Sequence, residues 1–235
     1  MQYAGIIKKL KSKASRKNLE GMVRFGINPK YALGVNVPAL RDICKKTGKD
    51  HKLALSLWKS KIHEARILAC LIDEPKKVGR KQTEAWLKDF NSWDLCDQCC
   101  MNLFDKMPGA FQKAIEWAGR KEEFIRRAGF SLMASLAFHD KSAKDKEFEE
   151  FFPIIKKHST DQRNFVRKAV NWALRQIGKR NLSLNKKALK VARDIQKIDS
   201  KTAKWIAGDA IRELEEKKKY KFSQRRNLRS NTRLS

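Results

Sequence analysis

Apolar residues recur along this chain at helical spacing, and no stretch alternates as a strand would. From Ala4 to about Leu19, Ile6, Ile7, Leu10 and Ala14 mark one amphipathic helix rich in lysine. Gly26, Pro29, Gly34 and Pro38 break the next stretch into a loop, with Pro38 in the first turn of a helix that stops at Gly48. Beyond it, similar segments return: His63 to Leu71, Phe124 to Phe130, Phe165 to Trp172 and Lys201 to Ala207. Aligning Arg66, Asp97, Arg127, Lys168 and Lys204 gives steps of 31, 30, 41 and 36 residues, the period of a two-helix repeat. Shorter outer helices are predicted at Leu53 to Trp58, Thr83 to Phe90, Phe111 to Ala118 and Glu147 to Lys157. The widest step contains the polar run 139–146, read as a surface loop. The expected fold is an all-α solenoid of antiparallel helix pairs, one domain over residues 1–216, whose inner helices set the aligned residues along one concave face.

Charge changes the picture next. Lys and Arg number 54 against 26 Asp and Glu, a formal net charge of +28. Such an excess points to a polyanion, with nucleic acid the first candidate. Residues 217–235 carry eight cations and no acid, read as a basic disordered tail, and removing those eight from +28 leaves +20 on the body. No apolar run is long enough to span a bilayer and no signal peptide is visible at the amino terminus, so a cytoplasmic protein without a membrane partner is expected. The five cysteines (Cys44, Cys70, Cys96, Cys99, Cys100) show no disulfide spacing, and Cys96, Cys99 and Cys100 read as small buried hydrophobes rather than metal ligands. His51, His63, His139 and His158 have neither ligand spacing nor a nucleophile partner and are given no role.

Candidate chemistry centres on Asn91-Ser92-Trp93-Asp94-Leu95-Cys96-Asp97. Asn91 or Ser92 is the predicted helix cap, Asp94 sits in the first turn, and Trp93 and Asp97 share a face. An acid beside an indole does nothing for phosphate binding, which makes Asp97 the candidate catalytic group. Trp172 follows Lys168 by one turn and adds a second indole. Trp58, Trp86, Trp117 and Trp205 are read as core.

Four segments together resemble a known family: Leu33-Gly34-Val35-Asn36-Val37-Pro38-Ala39-Leu40-Arg41, Ser92 to Asp97, Phe124-Ile125-Arg126-Arg127-Ala128, and Phe165 to Arg175. Over residues 20–215 the chain resembles the DNA alkylation repair family of HEAT-like repeat glycosylases, the AlkD-like proteins. That resemblance implies a right-handed superhelical solenoid with a concave basic groove on duplex DNA, and hydrolysis of the N-glycosidic bond of alkylated purines by a monomer without cofactor or metal. It places the catalytic carboxylate on Asp97, the active-site tryptophans on Trp93 and Trp172, and the active-site arginine on Arg127. Many members carry a second Trp where this chain has Ser92, and the insert at 139–146 is a further departure.

Arg41, Arg66, Lys168, Arg175 and Lys204 are the expected DNA contacts. One carboxylate suffices for this reaction because a ring-alkylated purine is already a cationic leaving group, unlike the sugar leaving group of ordinary glycosides. An open cationic groove further implies that the sugar and backbone are gripped without a closed pocket for the base. Two other classes stand beside this one: a non-catalytic nucleic-acid-binding solenoid, and a protein-interaction scaffold, which would need an exposed apolar groove.

Overall fold

The computed structural model of the chain describes residues 1–217, and the expected basic tail lies outside them apart from the backbone of its first residue. Among the described residues every regular element is a helix. They form two compact units, Met1–Ala110 and Phe111 onward.

The first unit contains α1 (Tyr3–Ser12), α2 (Arg16–Arg24), α3 (Val37–Thr47), α4 (His51–Lys59), α5 (His63–Ile72), α6 (Arg80–Lys88) and α7 (Trp93–Asn102), with 3-10 turns at Pro29–Tyr31, Pro75–Lys77 and Phe104–Lys106. Where one amino-terminal helix was expected there are two. Ser15 turns extended and its hydroxyl caps the backbone N–H of Asn18, which ends the first helix and starts the second. Asn36 likewise caps α3 through the Ala39 N–H.

The centre of this unit is α5, all ten residues of which are buried. A helix without a solvent face must satisfy its polar side chains internally. Glu64 accepts the backbone N–H groups of Leu33, Gly34 and Val35 at 2.9, 2.6 and 3.2 Å. Gly34 has φ +76°, and a Cβ there would lie 2.2 Å from the Ser15 carbonyl oxygen, so no other residue fits. Arg66 reaches the Asp89 carboxylate at 3.0 Å and lies over the Trp58 ring. Trp58 stacks on Trp86 at 3.9 Å and donates its indole N–H to Asp89 at 2.7 Å, confirming both as core.

Cysteine spacing predicts no disulfide, yet one is present. Cys70 on α5 and Cys99 on α7 are joined as a disulfide, while Cys44, Cys96 and Cys100 are not disulfide-bonded. The pairing was invisible because its partners belong to different helices of a packed pair.

The second unit contains α8 (Ala110–Ala118), α9 (Glu123–His139), α10 (Asp145–Glu149), α11 (Phe151–Lys157), α12 (Asn164–Gly178), α13 (Leu182–Gln196) and α14 (Lys201–Lys217). The outer helix expected at 147–157 is broken at Glu150 into α10 and α11. At Gly129 a Cβ would come within 2.2 Å of the Ala118 backbone nitrogen, which fixes how closely α9 lies on α8. The polar insert is the loop between α9 and α10. Arg180 holds it by donating to the Ala137 and Asp140 carbonyls at 2.8 and 2.7 Å while covering the Phe148 ring. Trp117 is core as expected, but Trp205 is not, with 41% of its surface exposed.

Candidate functional site

α7 carries Trp93 and Asp97, and three attachments set its place in the first unit. Ser92 occupies the N-cap position without a side-chain capping bond, so the start of the helix is fixed from outside. Asp94, in the first turn, accepts from His63 Nε2 at 2.7 Å. Burial opposes ionisation of Asp94, yet the hydrogen bond and charge of His63 hold its carboxyl below the usual range. One residue earlier, the Trp93 indole N–H donates to the Phe25 carbonyl at 2.9 Å, tying α7 to the chain just after α2. The third attachment is the disulfide to α5.

Trp93 and Asp97 are both half-buried, one turn apart on the same face. Beneath them Cys96 and Cys100 are fully buried. Burial, first, and then Cys96 and the carboxylate of Asp97 push the Cys100 thiol well up, so it stays protonated next to the acid. A cavity of about 250 Å³ opens among Met22, Val35, Asn36, His63 and Asp94. Neither Trp93 nor Asp97 lines it.

In the second unit Trp172 is half-buried on α12, next to Asn171, which donates to Asp209 at 2.7 Å. Arg127, on α9, is 5% exposed and donates to the Phe165 carbonyl in the first turn of α12. Arg127 thus lies in the interior, with α12 starting over its guanidinium.

The expected DNA contacts divide. Arg41 and Lys168 are exposed. Lys204 is exposed too, and its pairing with the exposed Asp199 at 3.1 Å is of the weak, screened kind. Arg66 and Arg175 do not stand free as expected. Arg66 is buried against Asp89 and Trp58, and Arg175 is half-buried and bound to Glu213 and Asp209. Each shares an inward-facing strip of its helix with an acid on a neighbour, a relation that charge alone does not reveal.

His63, to which the sequence pattern assigns no role, holds the first turn of α7 through Asp94. A signal for it existed: His63 and Asp94 are 31 residues apart, the same step that separates Arg66 from Asp97, so the repeat period alone brings them side by side. The Phe25 carbonyl had no such signal, since a backbone acceptor leaves no trace in residue type.

A solved structure described as "A new family of proteins related to the HEAT-like repeat DNA glycosylases with affinity for branched DNA structures" matches with a TM-score of 0.76 and 17% identity, over 90% of this chain and 95% of that one. At that identity the likeness shows the HEAT-like repeat fold. Among curated proteins the chain has no match. Among the described residues no helix is long and apolar enough to cross a membrane. The model of the family described as "DNA alkylation repair enzyme" matches residues 6–214, and the chain belongs to that family.

Proposed function

We propose that this protein is a glycosylase that hydrolyses the N-glycosidic bond of cationic, alkylated purines in duplex DNA. The observation that carries the reading is the pairing on α7 of a half-buried carboxylate, Asp97, with an indole held in place one turn before it. Membership of a family described as DNA alkylation repair enzymes supports alkylated DNA as the substrate.

The leaving purine takes the bonding electrons of the C1′–N bond and thereby loses its positive charge, while the sugar becomes oxocarbenium-like. Asp97 stabilises that charge and orients a water, whose oxygen bonds to C1′ as its proton passes to the carboxylate. The π face of Trp93 attracts the same cation. Trp172 is the second indole by family position. Arg127 serves as a positioning residue for α12, whose first turn it holds. Arg41, Lys168 and Lys204 contact phosphates, which fix register without reading sequence.

A second reading is favoured by the solved relative, described as having affinity for branched DNA: the chain would then hold DNA without cleaving it. Incubation of the purified protein with duplex DNA carrying N7-methylguanine separates the two. Release of the free methylated base is expected. Salt-dependent binding with no release at any enzyme excess would leave the binding-only reading standing.

A further inference from the structure

α12 and α14 meet in a register of 38 residues. Arg167 lies over the Trp205 ring, Asn171 donates to Asp209, and Arg175 pairs with Glu213. These rungs fall at i, i+4 and i+8 on both helices, so one strip of each faces the other for about two turns. The latter two rungs are ordinary interhelical polar pairs. The first is a cation on an indole, with the guanidinium 5.2 Å from the ring centroid.

Packing does not require an indole at this position. Ala203, Ile206, Ala207 and Ala210 on α14 are fully buried and supply the helix's contribution to the core, while Trp205 remains 41% exposed. A large apolar side chain held open to solvent, with one partner stacked on it, is a surface prepared for a flat ligand.

Its surroundings define the charge of that ligand. Lys201, one turn before Trp205 on the same face, is exposed, as are Lys204 beside it and Lys168 beside Arg167. Against these stand Asp199, already paired with Lys204, and Asp209, one turn after Trp205 and already bound by Asn171, Arg175 and Arg212. The ligand is therefore anionic and presents an unsaturated or sugar face. In a duplex the base faces are covered by their neighbours, so an indole among cations adds affinity only where a base is unstacked.

We infer that Trp205, backed by Arg167, is a stacking platform for an unpaired base of the bound DNA, with Lys168, Lys201 and Lys204 holding the adjoining phosphates. This rests on the reading of the chain as a DNA-binding protein, and adds to it a preference for DNA with single-stranded character. Arg167 restrains the indole on one side, so its ordering precedes binding.

The test uses the full chain and three fluorescein-labelled DNAs in an anisotropy titration at fixed salt: a blunt duplex, the same duplex with a short single-stranded overhang, and the same overhang made of abasic sugar-phosphate. Trp205→Ala is expected to weaken the overhang duplex by roughly tenfold and the other two by less than about twofold, with Trp205→Phe restoring most of the loss. Circular dichroism checks that both variants fold. Equal loss on all three DNAs, or no loss on any, overturns the platform. Failure of the wild type to hold any of the three would sink the DNA-binding reading itself.

Discussion

Glu64 stands on a helix with no solvent face, 1% exposed, and gathers three consecutive backbone N–H groups. All three reach Oε1 and Leu33 also reaches Oε2, so a neutral amide removes the charge that strengthens these bonds and sets an NH2 group against the Leu33 N–H. Glu64→Gln is therefore expected to lower the stability of the first unit by roughly 2–4 kcal/mol, read as a shift in the urea midpoint. An unchanged midpoint would show that the loop at 33–35 is held by other means. Arg66, two residues on, shows the limit of reading single residues. Its alignment with Asp97 was sound as a repeat position, but the residue type could not show that Asp89 and Trp58 would enclose it. Trp205 is the converse case: helical periodicity assigned it to the core, while packing by smaller neighbours left it outside. That Trp93 and Asp97 share one face was legible because their spacing is local.

At the scale of elements, helix ends matter more than helix interiors. The turn from α11 into α12 is built on Asp161, which accepts from Arg126 at 2.9 Å and from the Arg163 side chain and backbone. Burial opposes its ionisation, but the hydrogen bonds from Arg163 and Arg126 prevail and hold the carboxyl at about 2. Because the folded value lies below the unfolded one, this stabilisation is present above about pH 4 and is lost as pH falls toward 2. Acid unfolding of Asp161→Asn is expected to lack that component, and the variant to be less stable at neutral pH by about 1–2 kcal/mol after solvent screening. A variant that reproduces the wild-type acid profile would contradict this.

The helices themselves were largely legible, since periodicity and prolines mark them. What escaped was the break at Ser15, where a side-chain cap outweighed continued apolar spacing, and the register of α12 on α14, which is 38 where alignment of like residues gave 36. Registers follow from facing side chains, and similarity along the chain does not measure them. The step of 31 between α5 and α7 did hold, as the His63 to Asp94 bond shows.

For the molecule as a whole the dominant fact is a net charge of +28, which under the proposed function serves to hold DNA. Binding to undamaged duplex should then be governed by counterion release. If the protein neutralises about 6–10 phosphates, its affinity is expected to fall by roughly three to five decades between 50 and 200 mM salt. A shallow slope would instead point to a protein partner. The sequence alone carried charge, repeat period and motif order, and these were enough for the family. It did not carry the internal ion pairs that withdraw Arg66 and Arg175 from the surface.

The central claim is that Asp97 stabilises charge developing on the sugar, and the most direct measurement is a single-turnover rate of methylated-base release, with protein in excess over DNA, for wild type and Asp97→Asn. The account predicts a rate lower by roughly two to three decades in the variant, with affinity for the same duplex changed by no more than a few fold. Equal rates for the two proteins, or a loss fully explained by weaker binding, would contradict it.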